Sequence, residues 1–155
     1  MEKNIKYLAT FFGVGLINRF EGTVATVISG AFFILVIKIF NISSIILAAA
    51  SLSLFFISYY VVVEFQVGAT DPDPREIVID EVLGTLISLI GLPIFFNLSY
   101  ILLAFIFFRI FDYFKPSIIY RIQIKNTDAS IILDDVVAGI ITLAILLSLG
   151  LNGII

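Results

Sequence analysis

Five carboxylates occupy positions close to the ends of apolar segments: the Asp80-Glu81 pair, Asp112 within Arg109-Ile110-Phe111-Asp112-Tyr113-Phe114-Lys115, and the Asp134-Asp135 pair. Ionisable side chains at membrane depth are costly and read by default as functional. Massed at one interface, they repel one another unless protonated or neutralised by cations. Arg109 and Lys115 offset only part of that charge. A hard divalent ion such as Mg²⁺, which prefers carboxylate and water oxygens, supplies the remainder. Such an ion polarises phosphoryl oxygens and activates water, while Arg forks onto phosphate and Lys adds a point charge. The set points to a metal and phosphate site at a lipid headgroup.

Each piece alone has a plainer reading. An acidic pair near a helix start complements the helix dipole. Arg109, Asp112 and Lys115 follow i, i+3, i+6 on one helix face, which also suits snorkelling cations balanced by an acid. Neither reading explains why three separate segments bring acids to one depth.

The elements that position these groups are membrane helices. The 155 residues are 61% hydrophobic and 14% charged, with a mean hydropathy of +1.16. A soluble domain averages about 45–50% apolar and about 25% charged residues. The expectation is therefore an all-α, polytopic membrane helix bundle forming a single domain over residues 1–155. No cleavable signal peptide is evident at Met1–Lys6. There is no Cys and no His, so thiolate and imidazole nucleophiles, bases and metal ligands are excluded. No basic patch supports nucleic-acid binding.

A span needs about 20 mostly apolar residues. Candidate spans are residues 23–40, 45–63, 74–92, 98–115 and 131–149. The third has Asp73 as an expected N-cap, Pro74 at N1 and Glu76 at N3. The last three reach spanning length only if their acidic residues lie inside the helices. Residues 7–17 are too short to span and read as a re-entrant or interfacial helix. Gly84 follows Asp80 by four residues and Gly139 follows Asp135 by four. Each puts a small residue on an acid-bearing face, where another helix can approach closely.

Five spans place the N-terminal segment and the 64–79 and 112–130 loops on one side. Eight of the nine cations fall there (Lys3, Lys6, Arg19, Arg75, Arg109, Lys115, Arg121 and Lys125), and only Lys38 falls on the other. The positive-inside rule makes that side cytoplasmic. The five carboxylates share it.

At Asp80-Glu81-x-x-Gly84, Phe108-Arg109-x-x-Asp112-x-x-Lys115-Pro116 and Asp134-Asp135-x-x-Ala138-Gly139, the chain resembles the phosphatidylglycerophosphatase A family of small bacterial membrane phosphatases. Gly22-Thr23 resembles the family's early Pro-Gly-Thr-x-Gly segment. The order and spacing match over about residues 10–150. The chain departs from the pattern at Glu21, Ala25 and Ile118, and Asn126-Thr127-Asp128-Ala129-Ser130 replaces a Gly-rich run.

The resemblance implies Mg²⁺-dependent removal of the terminal phosphate of phosphatidylglycerophosphate, in phosphatidylglycerol synthesis at the bacterial cytoplasmic membrane. It carries the acidic site positions to Asp80, Glu81, Asp112, Asp134 and Asp135, and the basic ones to Arg109 and Lys115. In the expected mechanism Asp80, Glu81, Asp134 and Asp135 hold metal, with Asp112 joining or orienting. Arg109 and Lys115 grip phosphate. Thr23 is a candidate phosphate donor, with a simple N-cap as the more ordinary reading. A carboxylate nucleophile is a variant. The alternative is a small transporter or ion conduit. Against it, the far halves of the helices offer no polar path beyond stray Ser and Thr. Oligomeric state, metal count and the choice of base are not legible.

Overall fold

The computed structural model describes residues 3–67, 71, 74–125 and 127–155. Among these the chain is all-helical. The helices are α1 (Lys3–Ala9), α2 (Glu21–Phe40), α3 (Ser44–Gln66), α4 (Ile79–Ser88), α5 (Leu98–Phe114), α6 (Ile118–Gln123) and α7 (Asp128–Leu151), with a 3₁₀ turn at Val14–Leu16.

Three of them, α2, α3 and α7, are 20, 23 and 24 residues long and apolar enough to cross a membrane. This is a membrane protein. Helices α4 and α5 have 10 and 17 residues, the first short of a span and the second at the lower end of the roughly 17–25 residues that spans use. Among the described residues, three helices are candidate spans by length and composition.

Helix α4 is the centre of the bundle. All its residues except Glu81 are buried, and it packs against α2, α3, α5 and α7. A helix enclosed on every side reads as apolar all round, as a membrane span does. Its start differs from the expected cap. Asp73 lies outside the described residues, and the helix begins at Ile79 after Val78. Pro74 instead opens a turn, with Ile77 N–H donating to its carbonyl at 3.0 Å. Val78 N–H donates to Ala9 O at 3.0 Å, and Ile77 and Val78 are buried. Packing against α1 therefore overrides the local helix-start signal.

The far end of α4 loosens early too. After Ser88 the chain continues in i→i−3 turns, Leu92 to Leu89 at 3.0 Å and Ile94 to Gly91 at 3.1 Å. The Tyr100 hydroxyl donates to the freed Ser88 carbonyl at 3.0 Å. Such a partner satisfies an otherwise orphaned helix-end carbonyl.

The other ends follow local chemistry. Asn97 caps α5, its side chain accepting from Tyr100 N–H at 2.7 Å. That helix stops where Lys115 turns left-handed (φ 44°) before Pro116, a residue that disfavours helix at the position preceding it. Thr127 and Ser130 form a reciprocal capping box at the start of α7. At the N-terminus the expected 7–17 helix is divided, α1 ending at Ala9 and the 3₁₀ turn following at Val14. Helix α1 packs on α3, burying Ile5 and Ala9. The short α6 was expected as loop; it is held by Ile119, fully buried beside Phe108 and Ala138.

Candidate active site

The site begins at a close crossing of α4 and α7. A Cβ built on Gly139 would lie 2.7 Å from the Gly84 carbonyl oxygen, and one on Gly84 would lie 2.9 Å from the Asp135 carbonyl and 2.5 Å from the Phe108 ring. Any side chain here would push the backbones apart. Residues four apart share a helix face, so Asp80 and Asp135, each four before its glycine, meet at the crossing. With Glu81 they offer carboxylate oxygens that all lie within 4.8 Å of one another.

These groups are poorly satisfied by the protein itself. Asp80 and Asp135 are 9% and 2% exposed. Asp80 Oδ1, Glu81 Oε2 and Asp135 Oδ2 are buried without a hydrogen-bond partner. A buried charged oxygen left unpaired is strongly disfavoured. Three carboxylates clustered this closely, each with one such oxygen, fit the ligand set of a hard cation.

The remaining two acids are held by cations. Asp112 pairs with Arg109 one helical turn away at 2.5 Å. Arg109 Nη1 also donates to Thr26 Oγ1, at 3.5 Å. Asp134 pairs with Lys115 at 2.5 Å, and its Oδ1 accepts the Asp135 N–H at 3.1 Å. Asp134, expected as a ligand beside Asp135, therefore stands outside the three-carboxylate group and braces Lys115. Burial lowers the pKa of the Lys115 ammonium, but the charge and hydrogen bond of Asp134, with Asp135 and Asp112 behind it, hold it above its ordinary 10.5. Lys115 stays charged.

A cleft of about 860 Å³ opens above these groups. Asp80, Glu81, Asp112, Asp134 and Asp135 line it together with Arg109, Lys115 and Thr23. Thr23 sits in the first turn of α2; the cap position is Phe20, in left-handed conformation. Gly22 faces the centre: a Cβ there would collide with Glu81 Oε1 and lie 3.3 Å from Arg109 Nη1. Arg19 and Arg75 also line the cleft. Sequence reasoning used them only to orient the chain. Their signal was proximity, Arg19 lying three residues before Gly22 and Arg75 five before Asp80.

The family described as Phosphatidylglycerophosphatase A matches this chain over residues 7–149. The chain belongs to the phosphatidylglycerophosphatase A family. A Bacteroides thetaiotaomicron protein provisionally named a phosphatidylinositol-3-phosphatase is 35% identical over 69 residues. That match covers 44% of this chain and 43% of the relative, so the chain is aligned to less than half of that protein's length. No solved structure matches the chain.

In this phosphatidylglycerophosphatase A family member, the early Gly22-Thr23 element and the three acid-bearing motifs all border one cleft. In the segment that replaces the Gly-rich run before the last acidic pair, Thr127 and Ser130 satisfy the α7 terminus with their own side chains.

Proposed function

We propose that this protein is a Mg²⁺-dependent lipid phosphatase that hydrolyses the terminal phosphomonoester of phosphatidylglycerophosphate, giving phosphatidylglycerol and inorganic phosphate. The observation that carries this reading is the cluster of three carboxylates, from Asp80, Glu81 and Asp135, each with a buried unpartnered oxygen, in the lining of a cleft that also holds Arg109 and Lys115. Family membership supports the reaction class.

Asp80, Glu81 and Asp135 would hold the ion. When bound, Mg²⁺ would polarise the phosphoryl group and offset charge developing on it. Arg109 and Lys115 bind and orient the phosphate oxygens. Asp112 and Asp134 keep those two cations aimed into the cleft, a form of preorganisation that avoids rearrangement during reaction. Thr23 and Gly22 form the α2 wall, where Gly22 leaves room for the Glu81 carboxylate. Asp134 has a second role through its bond to the Asp135 backbone, which fixes the turn carrying a metal-holding carboxylate.

The distribution of cations supports a cytoplasmic position for the cleft, in a chain that passes the membrane five times if α4 and α5 also lie within it. The provisional name of the Bacteroides relative favours one further headgroup, a phosphorylated inositol, for the same chemistry. Phosphate release from a panel of phospholipid phosphomonoesters, with and without Mg²⁺, tests the assignment. Preference for phosphatidylglycerophosphate is expected. Turnover of phosphatidylinositol 3-phosphate alone would keep the chemistry and change the substrate, and absence of release from every lipid would reject the phosphatase reading.

A further inference from the structure

A second cavity, of about 270 Å³, lies between α2, α4 and α5 and is lined almost entirely by apolar atoms. Three hydroxyl residues stand in its wall, yet each donates its proton within its own helix. Thr26 Oγ1 donates to Gly22 O at 2.8 Å, Thr85 Oγ1 to Glu81 O at 2.7 Å and Ser88 Oγ to Gly84 O at 2.9 Å. The wall keeps no hydroxyl proton for a polar ligand. Gly30 and Ala104 leave the space open, and a Cβ on Gly30 would meet only the Thr85 methyl, at 3.5 Å.

Two features identify what fills it. The mouth opens sideways from the bundle: its rim residues Val27 and Leu102 are 51% and 53% exposed, and α2 is long and apolar enough to cross a membrane. The cavity also adjoins the carboxylate cleft. Thr26 lines the cavity and accepts from Arg109, which lines the cleft. From Thr26 to Ile34 the groove follows α2 for about 12 Å at 1.5 Å per residue. That is comparable with the roughly 15 Å depth of one leaflet's hydrocarbon.

The geometry points to a binding groove for one acyl chain of the phospholipid whose phosphate enters the cleft, an assignment that rests on the lipid-phosphatase reading. Lipid tails are as apolar as the groove wall, so moving a chain into it yields little hydrophobic gain. The groove acts by orientation, fixing the lipid so that its phosphate meets the carboxylates. Positioning of that kind carries large rate effects, since a displacement of about 1 Å can cost on the order of 10²-fold.

Gly30→Leu places a branched side chain in the groove while leaving every cleft residue in place. The variant is expected to lose about tenfold or more in kcat/KM on a long-chain diacyl phosphomonoester and to keep wild-type rates on a water-soluble, chain-free glycerol phosphomonoester. Equal loss on both substrates, or loss on neither, would overturn the groove. A second experiment needs no turnover. A phospholipid phosphomonoester with a diazirine in one acyl chain should photolabel peptides covering residues 27–34 and 101–108 in wild type, with labelling lost in Gly30→Leu. Labelling confined to the outer face of α3, or equal labelling by a diacylglycerol without phosphate, would refute it. Failure of wild type to turn over any phosphomonoester would sink the phosphatase reading, and photolabelling would still decide the groove.

Discussion

The Gly84 carbonyl oxygen lies 2.7 Å from the point where a Cβ on Gly139 would sit, and this contact brings Asp80 of α4 beside Asp135 of α7. The metal-binding geometry is thus a consequence of two helices that touch through backbone. Gly139→Ala should separate them. Overpacking of this kind costs typically about 1–3 kcal/mol, and displaced carboxylates should lower Mg²⁺-dependent phosphate release on the order of 10²-fold. Thermal unfolding in detergent beside the activity assay checks both. Gly30→Ala, whose new Cβ would find only ordinary contact at 3.5 Å, should be close to neutral in stability.

Gly22 stands against the same centre from α2. In Gly22→Ala the methyl group would occupy the place of Glu81 Oε1 and crowd Arg109. We expect the Mg²⁺ concentration needed for half-maximal activity to rise several-fold, because the displaced group is a proposed ligand. Unchanged Mg²⁺ dependence would show that Glu81 is not one.

Lys115 and Asp134 have side chains only 20% and 5% exposed. Removing one partner of such a pair strands the other charge, at a cost of roughly 2–5 kcal/mol. Lys115→Met should therefore destabilise more than Lys115→Met combined with Asp134→Asn, although both should lose activity if Lys115 grips phosphate. The pH sign follows from the raised Lys115 pKa. Its stabilising contribution is complete below the unfolded-state value and disappears as pH rises through the higher folded one. Unfolding measurements should show wild-type stability falling only above about 10.5 as Lys115 loses its proton, a fall that the double variant lacks.

Arg109 meets Asp112 at 2.5 Å and Thr26 at 3.5 Å. Arg109→Lys keeps the charge and loses the planar fork, a poor exchange where phosphate is bound. Its expected effect is a loss of about tenfold or more in kcat/KM, with a loss of stability no larger than the roughly 1.5–3 kcal/mol of one charge-assisted hydrogen bond. Steady-state kinetics and thermal unfolding on the same preparation separate the two.

Much of this arrangement was legible because the membrane makes charge expensive. Asp80-Glu81, Arg109, Asp112, Lys115 and Asp134-Asp135 stood out as ionisable groups in apolar surroundings, and all line the cleft. The i+4 glycines after Asp80 and Asp135 correctly marked close helix approach. What stayed hidden depends on tertiary contacts. The start of α4 moved from Pro74 to Ile79 because Val78 bonds to Ala9 across the fold. Spacing could not show that Asp134 bonds to Lys115 while its neighbour joins Glu81. Adjacent helix positions point about 100° apart, so two consecutive acids address different partners. Burial of α4 inside the bundle was hidden because a bundle interior and a membrane both select apolar residues.

The most direct test of the three-carboxylate centre is phosphate release from phosphatidylglycerophosphate in detergent micelles. Wild type, Asp80→Asn, Asp135→Asn and the control Asp128→Asn would be compared in Mg²⁺ and in EDTA, with folding checked by thermal unfolding. The centre predicts Mg²⁺-dependent release by wild type and Asp128→Asn, with release reduced to background in folded Asp80→Asn and Asp135→Asn. Undiminished release in EDTA, or wild-type rates in either of those two variants, would contradict it.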